Sequence, residues 1–218
     1  MKNRLVIAIA LLTLLTTISL QQKIFFSKFN IKKIIIENNF LLKEKNIKKS
    51  LVPIYNKNLI LLKNMEVKKI LMQNSFIDSF NIKKKYPNTL KIKIFEKKPI
   101  AILLNDKKRF YLSEKIDLID YRNLPNYKNL PYVFGNKDEF KILYNNLTKI
   151  NFPINRIKKF TFYETKRWDL ETIKNDVIKL PSKNYLKSLE SYLDLKKANN
   201  SKNYKIFDYR INNQLILK

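Results

Sequence analysis

An uncharged apolar run near the start of this chain limits most strongly what the chain can be. The run begins at Leu5 and ends at Gln22. As a helix rising about 1.5 Å per residue, it approaches the roughly 30 Å thickness of a bilayer's hydrocarbon core. Lys2 and Arg4 precede it without any acidic residue, and this charge bias favours a cytoplasmic N-terminus. We therefore predict a short cytoplasmic tail over residues 1–4, a single transmembrane helix over residues 5–22, and a C-terminal part outside the cytoplasmic (inner) membrane.

A cleaved signal peptide is the alternative interpretation of the same run. Such a peptide has a shorter apolar core followed by small residues of the Ala-x-Ala kind. Neither feature is present. The apolar run is longer, and neither Ser19-Leu20-Gln21 nor Ile24-Phe25-Phe26 has the small residues of a cleavage site. We expect an uncleaved anchor, and in both interpretations the rest of the chain is exported.

The composition removes most kinds of catalytic site. The chain contains no Cys and no His, which excludes a thiol nucleophile, a disulfide, a serine triad and most zinc sites. It contains one Gly, Gly135, whereas phosphate-cradling loops need several. We expect no cofactor, no metal and no enzymatic activity. The enzymatic alternative that composition leaves open is an exported hydrolase with paired acids, such as Glu164 with Asp169 or Asp117 with Asp120.

The chain is strongly basic, with a formal net charge of +27. Most of its basic residues are Lys, scattered among Asn and Ile, and few are Arg. Recognition of bases and phosphates usually draws on the planar forks of Arg side chains. Export would also separate the chain from intracellular DNA. We interpret the charge as a Lys-solvated surface that reflects compositional bias, and we expect no nucleic-acid partner.

Residues 29–97 carry the pattern of one small α+β unit, which a linker over residues 23–28 joins to the anchor. A short strand ends at a turn-prone Asn pair, a first short helix follows, and Asn64 is placed to cap a second. Two alternating segments around Pro87 then predict a hairpin. The order β-α-α-β-β predicts two helices on one face of a three-stranded sheet.

Residues 98–218 carry the pattern of a mixed, β-rich second domain with two helices. One helix follows Asp138 as a possible cap, and the other covers about 184–195. A closing strand is predicted from 204 to 217. The other strand candidates lie at 100–104, 110–112, 116–119, 131–134, 157–163, 167–173 and 177–180.

A series of short motifs in these two domains resembles one known family. Residues 83–101 supply basic residues, an aromatic-Pro turn, an alternating strand, a Glu and a Pro-x-Ala step. In this order they resemble the end of the POTRA domain of the FtsQ/DivIB cell division proteins. The chain continues with the family's Leu-Pro-x-x-x-Gly segment at 130–135, Arg-Trp-x-Leu strand at 167–170, partner strand at 177–180 and Asp-x-Arg strand at 208–210. Where the family often has Gly, this chain has Asn38, which tolerates left-handed backbone geometry.

The resemblance implies a noncatalytic scaffold of the divisome at the division septum. Such a scaffold recruits and links FtsB-like and FtsL-like bitopic membrane proteins and other divisome components. An edge strand offers unpaired backbone groups to which an incoming segment can add, and the closing strand is our candidate. The candidate partner-binding residues are Asp208, Arg210, Ile211, Asn213, Gln214, Leu215 and Leu217.

Alternatives stay open for these residues and for the function. The closing strand can simply complete the core, Asp208 and Arg210 can form a structural ion pair, and Trp168 fits a core position better than an interface. Within the strand, Ile211, Asn213, Leu215 and Leu217 are expected to share one face. The alternative function is an exported POTRA-type binding module of another envelope assembly.

Overall fold

The computed structural model describes residues 2–105, 108–198, 204–211 and 214–218, and within the first helix it describes the side chains of residues 3–15 and Ser27. The fold is mixed α+β and divides into two compact units, Met1–Lys97 and Lys98–Lys218. The helices are α1 (Lys2–Ser27), α2 (Glu44–Ser50), α3 (Asn64–Leu71), α4 (Lys137–Lys149) and α5 (Tyr185–Lys197). The strands are β1 (Lys33–Glu37), β2 (Ile77–Lys85), β3 (Thr89–Glu96), β4 (Pro99–Asn105), β5 (Lys108–Ser113), β6 (Leu118–Asp120), β7 (Tyr132–Phe134), β8 (Ile157–Tyr163), β9 (Arg167–Thr172), β10 (Val177–Lys179), β11 (Ile206–Asp208) and β12 (Ile216–Leu217).

The apolar run of the N-terminus lies in one continuous helix, α1. Its large apolar side chains from Leu5 to Leu15 are all more than half exposed. Among the helices that the structure describes, none combines the length and the apolarity that crossing a membrane requires. The transmembrane helix over residues 5–22 therefore stays a prediction.

The first unit is built around the predicted β-α-α-β-β order, which the structure confirms. Its three-stranded sheet has the order β1-β3-β2, with β1 parallel to β3 and β2 antiparallel to β3. The central strand alternates, so that one face of β3 carries buried Leu90, Ile92 and Ile94. The helix α3 contributes Val67 and Leu71 to the buried residues of this unit.

The turn after β1 explains two residues that the motifs single out. Asn38 has a φ of 64°, in the left-handed region that Gly would otherwise serve, and its side-chain amide donates to the Ile94 carbonyl at 2.8 Å. The carboxylate of Glu96, at the end of β3, accepts the backbone N–H groups of Phe40, Leu41 and Leu42 at 2.7–3.1 Å. The Glu of the motif therefore anchors the loop that leads into α2.

Two helix caps lie elsewhere than the sequence predicts. Asn64 is the first residue of α3, and the N-cap is Lys63, whose backbone N–H donates to the Glu66 carboxylate at 3.3 Å. At α4 the N-cap is Asn136, whose side-chain oxygen accepts the N–H of Asp138 at 2.7 Å. Glu66 thus binds the N–H of the N-cap in α3, Asn136 binds an N–H of the first turn in α4, and both predicted residues lie inside their helices.

The second unit is a nine-stranded mixed sheet with the order β12-β11-β10-β9-β8-β7-β4-β5-β6. The helix α4 connects the parallel neighbours β7 and β8, and α5 connects the parallel neighbours β10 and β11. Apolar residues of both helices join one core with the strands, including Phe140, Leu143, Leu189 and Tyr192. Both helices therefore cover the same face of the sheet, because the strand residues of this core alternate with residues of the opposite face.

Trp168 and Gly135 both have structural reasons for their positions. Trp168 is 4% exposed, and its ring centroid lies 4.8 Å from that of Phe162 and 6.2 Å from that of Phe140. The prediction that Trp168 belongs to the core is confirmed. Gly135 has a φ of 145°, and a Cβ at this position would lie 2.5 Å from the Cβ of Phe162. Only Gly fits here, because any side chain would collide with the strand β8.

The predicted closing strand from 204 to 217 is wrong as a single element. The described chain forms two short strands, β11 and β12, which pair antiparallel. The Asp208 carboxylate accepts the backbone N–H of Arg210 at 3.1 Å, and the Gln214 N–H donates to the Ile211 carbonyl at 3.2 Å. These local bonds compete with strand pairing and help the chain to reverse direction.

Candidate partner-binding site

The strand β12 forms one edge of the nine-stranded sheet. Its partner β11 holds it through Lys218, whose N–H donates to the Ile206 carbonyl at 3.1 Å and whose carbonyl accepts the Ile206 N–H at 2.9 Å. In an antiparallel pair, hydrogen-bonded and non-hydrogen-bonded residues alternate. The backbone N–H and C=O of Leu217, which stands opposite Phe207, therefore point away from β11. None of the strands that the structure describes lies beyond β12, so these groups face an open edge.

The strand β12 also separates two faces with different chemistry. Leu215 and Leu217 are half-buried and pack against the core on the helix-covered side. Ile216, between them, is 38% exposed and stands opposite Asp208. A segment that added to this edge would meet apolar side chains on one face and the charges around Asp208 on the other.

Charged residues form a row across β9, β10 and β11 on the face opposite the helices. Lys179 stands in register with Asp169 on one side and with Asp208 on the other. Arg167 Nη1 donates to Asp169 Oδ1 at 2.6 Å. Arg210 binds Asp208 with two nitrogens, Nε at 2.8 Å from Oδ1 and Nη2 at 2.6 Å from Oδ2. We call these five residues the charged row.

The two carboxylates of the charged row are affected in opposite ways by their surroundings. Hydrogen bonds from the Arg210 side chain, followed by its backbone N–H, hold the pKa of Asp208 below its usual value despite burial. Burial raises the pKa of Asp169, and the positive charges of Arg167 and Lys179 only partly oppose this. Hydrogen bonding dominates at Asp208 and burial dominates at Asp169, because several hydrogen bonds stabilise a charged carboxylate and loss of water destabilises it.

The structure brings together some of the predicted site residues and separates others. Asp208 and Arg210 form the predicted ion pair. Leu215 and Leu217 share a face as expected, but Ile211 lies in a bend before β12 and is 52% exposed, so it does not continue their face. Asn213 lies outside the described residues.

A pocket of about 490 Å³ lies beside the reversal between β11 and β12. Ile211, Gln214 and Leu215 line it together with Tyr209 and with Ser191 of α5. The Tyr209 hydroxyl is buried without a hydrogen bond of normal geometry, although Ser191 is close enough to lower its pKa against the raising effect of burial. The predicted residues that leave the strand face therefore still border one concave surface.

Sequence reasoning did not include Arg167, Asp169 and Lys179 in this site. Alternation was the available signal, because Arg167 and Asp169 flank Trp168 in β9 and Lys179 follows buried Ile178 in β10. What the sequence does not contain is the pairing of β10 with β11, whose strands are joined through α5. The antiparallel pairing of β9 with β10 already places Lys179 beside Asp169, and the parallel pairing with β11 adds Asp208 and Arg210 to the row.

The acids Glu164 and Asp169, considered as one pair for a hydrolase, lie in different surroundings. Asp169, one of the acids considered for a hydrolase, is paired with Arg167, while Glu164 is exposed in the turn between β8 and β9. Within the described part of the chain, acidic side chains form no group of three or more that could hold a metal ion.

Comparisons with known proteins add three kinds of match. Residues 29–97 match the family model described as a POTRA domain of the FtsQ type. The cell division protein FtsQ of Rickettsia conorii is 30% identical over 194 residues, which are 87% of this chain and 72% of that protein. The cell division protein FtsQ of Rickettsia bellii is 30% identical over 195 residues, with the same two shares. The structure of the major extracytoplasmic domain of the cell division protein DivIB from Geobacillus stearothermophilus aligns with 50% of this chain and 98% of its own, at 14% identity and a TM-score of 0.36.

Proposed function

This chain belongs to the FtsQ family of cell division proteins, and from that membership we propose that it is a noncatalytic scaffold of the divisome at the septum. In this proposal α1 anchors the chain in the inner membrane, with the N-terminus in the cytoplasm and both units outside it. The scaffold recruits and links FtsB-like and FtsL-like bitopic membrane proteins. Its chemistry is binding.

The open edge of β12 is the observation that carries this proposal. The outward N–H and C=O of Leu217 are a donor and an acceptor that an incoming extended segment can pair with. Such pairing gives affinity without requiring a particular sequence, so selectivity has to come from the side chains on either face. We propose that the partner contributes apolar side chains on the side of Leu215 and Leu217.

The charged row supplies selectivity on the other face. It carries three cationic and two anionic side chains, and Arg210 is 46% exposed beside the edge. An approaching acidic side chain would share the Arg210 guanidinium with Asp208, whereas an approaching basic side chain would meet the excess of positive charge. A partner segment with acidic residues on this face is therefore favoured.

Substitution of Leu217 tests strand addition without removing the strand. Leu217→Pro deletes the outward N–H. The hydrogen bonds that hold β12 to β11 are kept, because they belong to Lys218, opposite Ile206, and to Ile216, opposite Asp208. We expect Leu217→Pro to weaken binding of the full-length chain to the extracytoplasmic part of an FtsB-like partner by at least about tenfold, since one hydrogen bond and the fit of the segment are lost. Isothermal titration in detergent solution measures this affinity.

The matched control is Leu217→Ala, which keeps the outward N–H and removes only side-chain contacts. A chain that lacks residues 211–218 provides a second variant, and the fluorescence of buried Trp168 reports whether either variant keeps its core. Undiminished affinity of both Leu217→Pro and the shortened chain, with the core intact, would show that the partner binds elsewhere.

A further inference from the structure

One end of the first unit is fixed directly beside the exit of α1. The helix ends at Ser27, whose carbonyl accepts the Asn30 N–H at 3.1 Å. Two residues beyond the helix, the Phe29 carbonyl accepts the Leu59 N–H at 2.8 Å, and Ile31 exchanges further backbone bonds with the loop around residues 56–57 at 2.9–3.0 Å. The loop over residues 56–62 is therefore attached to the chain within a few residues of the helix end.

The turn between β2 and β3 lies at the same end. The Asn88 carbonyl accepts the Lys32 N–H at 2.9 Å, and the first residue of β1 stands in register with Thr89. The Lys84 ammonium, close to this turn, donates to the Ile60 and Leu62 carbonyls at 3.0 and 2.8 Å. The turn, the loop and the helix exit are thus joined by hydrogen bonds into one surface.

Large apolar side chains are exposed on this surface. Leu61 is 70% exposed, Tyr86 59% and Ile60 43%, although the neighbouring Leu59 and Leu62 are buried. We call Ile60, Leu61 and Tyr86 the anchor-side patch. Single exposed apolar residues are common, but here three large ones occupy connected segments beside the helix exit. These three side chains are not part of the buried core, and the proposed edge site lies in the other unit.

Exposed lysines surround the anchor-side patch in the same segments. They are Lys28, Lys32, Lys57, Lys63 and Lys85. Two acids lie near these lysines: Glu66 pairs with the Lys57 ammonium, and Glu37 interacts electrostatically with Lys85. Apolar and aromatic side chains in a ring of lysines suit the interface of an anionic bilayer, where tyrosine is enriched and each lysine contributes about 1 kcal/mol of attraction.

We propose that the anchor-side patch rests on the outer surface of the bilayer that holds α1, with Ile60, Leu61 and Tyr86 entering the headgroup region of anionic lipids. This inference rests on the proposed function, because it takes α1 as the membrane anchor. The chain length from Ser27 to Phe29 spans at most about 7 Å, so a bilayer at the helix end lies within reach of the patch. Contact at this patch fixes the orientation of the first unit relative to the membrane.

The absence of Cys from the chain allows a direct measurement. The full-length variant Leu61→Cys carries an environment-sensitive fluorophore and is reconstituted into vesicles of phosphatidylethanolamine and phosphatidylglycerol that contain a nitroxide-headgroup lipid. The matched control is Phe40→Cys, which is 83% exposed and follows the opposite end of β1. We expect the nitroxide to reduce emission at position 61 at least about twofold more than at position 40, since interfacial side chains enter the headgroup layer by about 5–10 Å.

Two further comparisons test whether charge attraction brings the patch to the bilayer. The double substitution Lys32→Gln and Lys85→Gln, in the background of Leu61→Cys, is expected to reduce the quenching at position 61, as is replacing phosphatidylglycerol with a neutral lipid.

Flotation of the vesicles reports separately whether the chain is anchored in the bilayer. If the chain floats with the vesicles but positions 61 and 40 are quenched equally, the anchor stands and the patch does not touch the bilayer. If quenching at position 61 appears only after a protein partner is removed, the patch is a protein interface. If the chain does not float with the vesicles, both the anchor and the membrane contact are overturned.

Discussion

Asp208 and Asp169 show how neighbouring residues of one sheet can make opposite contributions to stability. Both belong to the charged row and each has an arginine partner. Asp208 receives hydrogen bonds from the side chain and the backbone of Arg210, so its pKa is lowered. Burial dominates at Asp169, so its pKa is raised. The charged form of Asp208 therefore stabilises the folded state, whereas ionisation of Asp169 is less favourable in the folded state than in the unfolded chain.

The pH dependence of folding follows from these directions. A lowered folded-state pKa stabilises the fold fully above the unfolded value of about 3.9, and this contribution is lost as the pH falls through the folded-state pKa. A raised folded-state pKa contributes stability at lower pH that is lost as the pH rises through it. We expect Asp208→Asn to lower the free energy of unfolding at pH 7 by about 1 kcal/mol, a figure that allows for solvent around Arg210, and Asp169→Asn to lower it less.

Urea denaturation followed by Trp168 fluorescence measures this pair of variants between pH 7 and the acid range. The deficit of Asp208→Asn should shrink as the pH falls below 4, because the wild-type carboxyl group then becomes protonated as well. Equal deficits for the two variants at every pH would contradict the opposite roles of the two carboxylates.

Single residues were predictable where one local rule decides their position. The spacing of Asp208 and Arg210 placed both on one strand face, and the alternating pattern placed Trp168 in the core. The caps at Asn64 and Asp138 were predicted one and two residues too late. In α3 the Glu66 carboxylate accepts the N–H of Lys63, and in α4 the Asn136 side chain accepts the N–H of Asp138, so each N-cap lies before the predicted cap.

At the scale of elements, Glu96 joins the end of β3 to the start of α2. Its carboxylate satisfies three successive backbone N–H groups in the loop over residues 40–42. We expect Glu96→Ala to lower the free energy of unfolding by about 2 kcal/mol, because hydrogen bonds to a charged group are stronger than neutral ones and their loss leaves N–H groups unsatisfied. Thermal denaturation of the full-length chain measures the loss.

Glu96→Gln separates charge from hydrogen bonding in this loop. The amide oxygen can still accept, but it carries no charge, so the loss should be intermediate between wild type and Glu96→Ala. The control is Glu190→Ala, at an exposed acid of α5 that holds no such loop. It should leave the midpoint temperature of unfolding nearly unchanged. A Glu96→Ala midpoint equal to that of the control would show that the loop does not depend on this carboxylate.

The elements of the first unit were predictable because its helices and strands follow distinct periods.

The wrong prediction of one closing strand at the C-terminus has a physical cause that the sequence partly shows. The segment after Asp208 has no Gly or Pro, and its apolar residues still alternate, which favours one long strand. The Asn pair at 212–213 was the turn signal that this interpretation passed over. The Arg210 N–H donates to the Asp208 carboxylate, and this local bond competes with a continuous strand.

At the scale of the whole molecule, the sequence predicted the classes of the two domains but not the order of strands in the larger sheet. Strand order depends on which distant segments pair, and β7 with β8 and β10 with β11 are parallel neighbours separated by whole helices. Periodicity describes each segment alone. The charged row depends on such long-range pairing, so it emerges only in the folded sheet.

The proposed role of the whole chain predicts a division phenotype. Depleting the protein in its host should produce filamentous, undivided cells, because the scaffold that links the other division proteins is lost. Expression of the wild-type chain or of Leu217→Ala should restore division, while Leu217→Pro at equal abundance should not. Microscopy of cell length and immunoblotting measure both quantities. Normal cell length after depletion would contradict a role in division.

The shortness of β12 has a consequence for how the chain behaves at high local concentration. A long, bare edge strand lets identical molecules stack on one another into ordered aggregates. Here the edge strand covers only Ile216 and Leu217, and the molecule carries a large net positive charge that repels its own copies. In the proposed role at the septum, many crowded copies would therefore keep their edges vacant without polymerising.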